Sequence, residues 1–453
     1  MEKMRDSIDF KNMDIAALFR KLLLPTVLGM IFSALFVITD GIFVGKGIGS
    51  DALAAVNIVA PLWLFSTGIG LMFGVGASVV ASIHLSHNKP KVARINITQS
   101  IVVSSLLLMC TSTLFCLFAP QVVHLLGGSE RLEPLAVEYM LWFVPFSAFT
   151  ALLNSGMFFL RLDGSPNFAM LCNITAAVLN IILDYLFIFP LGWGMFGAAL
   201  ATLIAQGISA VFSLLIFFYR MRRYKSSFVW FDGQELRSML QIAVPSVLQQ
   251  STVSIGMMIV QAVVNPFGTQ ALAGYAATMR VENVFSLIFV SIGNAVSPYV
   301  SQNLGAKKIE RIKKGYHAAL VLDLCFAVLA FIVIETLHTQ ISSLFLGKDG
   351  TALAYQVSGD YMRWLGYFFI FMGIKMATDG VLRGLGIMRP FLIANMVNLA
   401  IRLSVALICA PRFGIAFVWL AVPAGWLANF LVSYAALRKS WPGEKVEPSR
   451  IFS

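Results

Sequence analysis

Four oxygen-bearing side chains stand at unusual places in an otherwise apolar chain: Asp40, Asn180, Asp184 and Thr202. Asp40 lies near the end of an apolar run that begins near Leu22, and a carboxylate left charged in hydrocarbon costs a few kcal/mol. Asn180 and Asp184 are four residues apart, so a helix puts both on one face. Thr202 lies in "GMFGAALATLIAQ", where the pairs Gly197/Ala201 and Ala198/Thr202 place small residues at intervals of four. That spacing lets another helix approach closely. Two carboxyls in a semi-dry pocket repel each other when both are charged, so one keeps a proton or a cation sits between them. Hard monovalent cations take oxygen ligands, so H⁺ or Na⁺ binding suits this set. The competing reading is a satisfied hydrogen-bond network that only joins helices.

The glycines and Lys46 of "TDGIFVGKGIG" also suggest a phosphate-binding loop, but the spacing excludes it. Gly41 and Gly45 are one residue too close, and Gly47 follows Lys46 where Ser or Thr is required. No H-E-x-x-H or other clustered metal pattern occurs. No metal site is therefore expected beyond Na⁺ on the four oxygens, and no cofactor.

The elements that must carry these residues are membrane helices. Of 453 residues, 58% are hydrophobic and 12% charged, against about 25% charged in soluble domains. Apolar runs near the roughly 20 residues a spanning helix needs occur at 22–44, 53–82, 97–119, 135–160, 168–190, 196–219, 239–264, 271–298, 315–337, 356–378, 391–410 and 413–437. Twenty-five Lys and Arg fall in one set of alternating connections, five in the other set and three inside spans. That bias predicts both termini in the cytoplasm. It also accounts for the net charge of +11 without nucleic acid. The five cysteines lie in apolar segments without a C-x-x-C pair and read as core residues. The polar first 20 residues do not make a cleavable signal peptide; the first span is expected to serve as the insertion signal.

The chain repeats itself. "RKLLLPTVLGM" before span one answers "LQIAVPSVLQQ" before span seven, which sets Pro25 against Pro245, 220 residues on. "GSDALAAVNIVAP" answers "GTQALAGYAATMR", and "VLNIILDY" answers "MVNLAIRL", pairing Asn180 with Asn398 and Asp184 with Arg402. The polar stretch 219–238 reads as a linker, with domains at 1–225 and 226–453. Two six-helix lobes in the same topology are the expected architecture, with substrate sites near the midplane. The pairing breaks at the acids: Asp40 has no acidic counterpart near Val260. Asp40 lies fifteen residues past Pro25, about 22 Å along a helix, and so comes to a depth similar to that of Asp184.

Other charges in the spans read more plainly. Lys375 and Asp379 are four apart and can neutralise each other. Arg402 needs an acid from another helix, Glu282 or Asp379. Arg280 and Glu282 do not share a face, being two apart. Asp323 reads as interfacial, and His84 and His87 as solvated loop residues. Met and Phe are plentiful, 20 and 37, and mostly pack; a subset facing a cavity would favour bulky aromatic cations.

The stretches "TDGIFVGKGIGSDALAAVNIVAPL", "LNIILDYLFIFPLGWGMFGAALAT", "ALAGYAATMRVENV" and "SPYVSQNLGAKK" resemble the multidrug and toxic compound extrusion family, in its DinF-like and MepA-like prokaryotic branch. The resemblance covers nearly the whole chain in order. It implies an all-α polytopic membrane protein, with twelve transmembrane helices in two pseudo-symmetric six-helix lobes. It implies a multi-pass protein of the prokaryotic inner (plasma) membrane that exports organic cations and drugs in exchange for H⁺ or Na⁺. By the same resemblance Asp40 and Asp184 are the coupling acids, Asn180, Thr202 and the Ala198 carbonyl complete the cation site, and Pro25 marks a bend in the first helix. Asn154 would face the drug cavity, with Glu282 and Arg402 as further substrate candidates. A second branch of the family carries acids on helices seven and ten. Here helix seven offers only Gln249, Gln250 and Gln261, and helix ten has Lys375 with Asp379. The alternative function is a flippase for a lipid-linked saccharide or another lipid, whose pyrophosphate would need basic cavity residues; only Arg280, Lys375 and Arg402 qualify. A membrane-embedded enzyme has no nucleophile or metal motif to support it. A monomer, with small molecules and the bilayer as its partners, is the simplest expectation.

Overall fold

The computed structural model describes residues 12–87, 89–126, 128–221, 231–346 and 351–441. Among them there is no strand, and twelve helices are long and apolar enough to cross a membrane. In chain order they are α1 (Ile15–Gly47), α2 (Ser50–Ser86), α3 (Pro90–Leu117), α4 (Glu133–Leu162), α5 (Pro166–Ile188), α6 (Gly194–Met221), α7 (Gly233–Val264), α8 (Thr269–Gly305), α9 (Ile309–Leu346), α10 (Ala352–Gly384), α11 (Met388–Phe413) and α12 (Ala416–Lys439). All twelve coincide with the apolar runs of the sequence. Most are longer than those runs, because polar ends go on making backbone bonds outside the apolar stretch. A 3₁₀ turn at Val144–Phe146 interrupts α4, and a π-helical turn at Val405–Cys409 interrupts α11.

The described helices form two compact units, one within residues 20–247 and one of residues 12–19 with those of 248–441. The linker position at 225/226 lies outside the described residues. In the first unit Val44, Ala55, Val59, Met140, Ile188 and Ala198 share one buried apolar cluster. In the second, Val260, Tyr275, Tyr361, Phe369, Val422 and Trp419 do.

Small residues set the helix spacing within each unit. A Cβ on Gly380 of α10 would fall 2.6 Å from the Gly293 carbonyl of α8, and one on Gly384 2.6 Å from the Ser297 carbonyl. Gly70 of α2 meets the backbone of Ala151 on α4 in the same way, at 2.6 Å. Backbones this close pack only where no side chain intervenes.

The internal repeat appears in local geometry as well as in sequence. Pro25 and Pro245 both lie inside helices, where the missing N–H leaves a carbonyl one turn earlier without its helical donor. The next residue in each case is a hydroxyl side chain bonded back along its helix. Thr26 Oγ1 donates to the Leu22 carbonyl at 2.7 Å and Ser246 Oγ to the Ile242 carbonyl at 2.9 Å. The turns that follow α1 and α7 each end in a glycine with positive φ, Gly49 at 136° and Gly268 at 99°, where an L side chain would be strained.

Candidate functional site

Asp40, Asn180, Asp184 and Thr202 converge in the first unit. α1 is held against α5 by small residues: a Cβ on Gly29 would stand 3.0 Å from Asn173 Nδ2, and Gly47 lies directly on Ile188. α5 and α6 pack along the predicted small-residue stripe, where a Cβ on Gly197 would come 3.2 Å from the Phe187 carbonyl. Thr202 Oγ1 is then 3.5 Å from Asp40 Oδ1, and Asn180 Nδ2 donates to Thr202 Oγ1 at 3.3 Å. The Asp40 and Asp184 carboxyls come within hydrogen-bonding reach of each other. Asp184 and Asn180 are fully buried, Thr202 nearly so, and Asp40 half-buried. Ala198 is fully buried one turn before Thr202, on the same face of α6.

Neither oxygen of Asp184, nor Asn180 Oδ1, receives a hydrogen bond from another protein group. Buried acceptors without donors are costly. A proton shared between the two carboxyls, or a small cation among these oxygens, satisfies them. The residues present therefore fit either coupling ion, and the donor set does not discriminate between them. No group of three or more His, Cys, Asp and Glu suited to a metal ion occurs among the described residues.

One member of the cluster escaped sequence reasoning. Tyr139 of α4 is buried in the same apolar cluster as Ala198, one turn from Thr202 on α6. Nothing in "VEYMLWF" marks it, because a tyrosine in an apolar helix is ordinary core.

Asn154 is apart from the acids. It is half-buried, and its amide donates to the Thr150 carbonyl of its own helix at 2.8 Å.

In the second unit Lys375 Nζ lies 3.1 Å from Asp379 Oδ2, with both side chains almost fully buried. Gln249, Asn395 and Ser433 also donate to that carboxylate, at 3.1, 3.4 and 3.1 Å. The side chain of Gln261 lies outside the described residues. Arg402 Nε and Nη2 pair with neither of the two acids open to that residue, Glu282 and Asp379. Glu282 accepts from the Tyr361 hydroxyl at 2.8 Å.

Asp323 is fully buried on α9, and neither of its oxygens has a partner. A Cβ on Gly373 of α10 would be 2.7 Å from its Cβ. One expectation is corrected. His84 is not a solvated loop residue. It occupies the last turns of α2 and meets Glu235 of α7 at 3.2 Å; Asn96 of α3 bonds the same carboxylate at 2.7 Å.

The MatE family profile matches the chain twice, over residues 25–186 and 245–408, in keeping with the repeat. The FAD transporter of Shewanella oneidensis is 25% identical over 389 residues, covering 83% of this chain and 82% of that protein. The multidrug export protein MepA of Staphylococcus aureus (strain MSSA476) is 25% identical over 379 residues, covering 81% and 82%. In three dimensions the chain resembles the bent form of the Vibrio cholerae MATE transporter VcmN, with a TM-score of 0.88 at 23% identity over 95% of this chain and 98% of that one. The twofold family match, set on twelve membrane-crossing helices, makes the chain a multi-pass plasma-membrane protein of the MatE family, the multidrug and toxic compound extrusion transporters.

Proposed function

We propose that this protein is a secondary antiporter that exports organic cations and drugs in exchange for H⁺ or Na⁺ by alternating access. The observation that carries the reading is the facing pair Asp40 and Asp184, with acceptor oxygens on Asp184 and Asn180 that no protein donor reaches. Such a pair changes charge when it binds or releases an ion. Ion loading drives exchange only if the ion binds one of two conformations better, since equal affinity shifts nothing. Pro25, fifteen residues before Asp40 in α1, is a weak point at which that helix responds. Thr202, Asn180 and the Ala198 turn complete the ion site, and Asn154 is a candidate substrate contact. Both termini face the cytoplasm in this reading, and the working unit is a monomer.

The test is dye-cation efflux from proteoliposomes under an imposed proton gradient and then a sodium gradient. One gradient drives efflux in the wild type, and Asp40→Asn and Asp184→Asn each abolish it. Gradient-driven efflux at wild-type rate in either variant would refute the assignment. The relative named as an FAD transporter supports a second reading, in which the cargo is a bulky metabolite with an anionic part.

A further inference from the structure

α9 and α10 meet along one continuous seam. The Tyr316 hydroxyl lies 2.8 Å from Thr378 Oγ1, Asp323 faces Gly373, Glu335 holds Arg363 at 2.6 Å, and Ser342 Oγ lies 3.0 Å from Ser358 Oγ. Each step forward on α9 is a step back on α10. Polar groups pair off at three of these four places, and at Asp323 they do not. Asp323 is 0% exposed, and neither of its oxygens has a partner. A Cβ on Gly373 would stand 2.7 Å from its Cβ and 3.1 Å from its Cγ, and the Phe289 ring of α8 comes within 3.2 Å of the same point. Phe289 in turn packs on Phe369 of α10, with ring centroids 5.7 Å apart.

The charged and titratable groups on the helices packed against Asp323 are engaged elsewhere or face outward. On α10, Lys375 pairs with Asp379 and Arg363 with Glu335, Arg383 bonds the Gly293 carbonyl and Asn294, and Asp360 and Tyr367 are exposed. On α8, Glu282 accepts from Tyr361. Glu282 and Arg280 stand seven and nine residues before Phe289, about 10 Å or more along the helix. On α9 itself Tyr316 is bonded to Thr378, and His317 and Cys325 are exposed. None of these supplies a counter-charge. A bare carboxylate walled in by glycine and phenylalanine is far more costly than the neutral acid.

We propose that Asp323 is a proton-binding site of the second unit, its proton occluded between α9 and α10 in this packing. Gly373 is what allows α10 to close over the carboxyl. Ionisation in place would leave an unpaired charge, so the proton leaves only when α10 draws away from α9. A ligand favours the arrangement that binds it better, and the bound proton therefore favours the closed seam. The site is additional to the acid pair of the first unit and does not depend on which ion drives export.

The test is infrared difference spectroscopy on the full chain in detergent at about pH 8, where exposed carboxyls are ionised. Wild type minus Asp323→Asn, and wild type minus Asp323→Leu, each show the carbonyl stretch of a neutral carboxyl. The same band is lost when either change is made in an Asp40→Asn/Asp184→Asn background. In heavy water it moves only slowly to its deuterated position. Gly373→Ala brings a methyl 2.7 Å from the Asp323 Cβ. Overpacking on that scale opens the seam about tenfold more often, and the band should exchange about tenfold faster. A merely structural carboxylate, ionised and bonded to buried water, gives a carboxylate band and no carbonyl band in both differences, which overturns the proposal. A carbonyl band that exchanges at once in heavy water overturns it too, as does an unchanged exchange rate in folded Gly373→Ala. Where Gly373→Ala does not fold, the two Asp323 variants and the wild-type exchange decide. Ethidium efflux is followed in parallel. Efflux without the band means that this proposal fails alone, and the band without efflux means that the antiporter reading fails alone.

Discussion

Removal of one partner of the Lys375–Asp379 pair should be far more damaging than removal of both. The two groups lie 3.1 Å apart with 1% and 2% of their side chains exposed. Asp379 also accepts from Gln249, Asn395 and Ser433, so its lone pairs are filled in a dry setting. Breaking such a pair leaves an uncompensated buried charge and costs about 3–5 kcal/mol, whereas replacing both members by apolar residues of similar volume is near neutral. Lys375→Met and Asp379→Leu should therefore each lower stability in micelles by about 3–5 kcal/mol. The double variant should lose no more than about 2 kcal/mol, because it trades the ion pair for packing but strands the Gln249, Asn395 and Ser433 donors. The interaction energy across the cycle is then several kcal/mol, far outside the usual error of additivity. Chemical unfolding of the purified variants gives the stabilities, and gradient-driven dye efflux gives the function. Wild-type stability in Lys375→Met would refute the argument. So would a stable double variant that has lost ion-driven efflux, which would make Asp379 an ion site rather than the neutralised half of a pair.

Three further outcomes are expected. Tyr139→Phe removes a hydroxyl from the buried cluster that holds Ala198, one turn from Thr202, and should slow ion-driven efflux about three- to tenfold without unfolding the protein; an unchanged rate would place Tyr139 in the packing alone. Asp323→Leu replaces a buried carboxyl without partners by an apolar side chain, and should leave unfolding stability unchanged or raise it by about 1–3 kcal/mol; a large loss would mean that the carboxyl has a polar partner. Gly380→Val inserts a branched side chain where even a Cβ would fall 2.6 Å from the Gly293 carbonyl, so α8 and α10 must separate. Folded yield should drop sharply, with Gly380→Ala intermediate at about 1–3 kcal/mol.

The helices were legible because hydrophobic length is a strong signal, and the acid pair because one turn of α5 sets Asn180 beside Asp184 while Pro25 gives a depth for Asp40. The second unit was less so. Sequence spacing left Arg402 with two candidate acids, and only packing shows that Asp379 is already committed to Lys375. The burial of Asp323 had no signal either, because the glycine that admits it, Gly373, lies on another helix. His84 was misread for a related reason: hydropathy ends the second span before the helix does, and its partner Glu235 is 151 residues away. Tyr139 had no signal, since its role comes from the neighbours that α5 and α6 bring to it.

The π turn in α11 also bears on how the halves can be recombined. A turn of that kind holds an extra residue relative to an α-helix, whereas its repeat partner α5 runs from Pro166 to Ile188 as an uninterrupted α-helix. The pairing of Asp184 with Arg402 sets Ile188, the last residue of α5, opposite Ala406, so the turn lies where α5 is already ending. A chimera that grafts α11 into the place of α5 would therefore keep the register of the paired side chains and differ only at its far end, where α11 continues to Phe413. Trimming the graft after Ala406, with no deletion inside the helix, is the repair it would need.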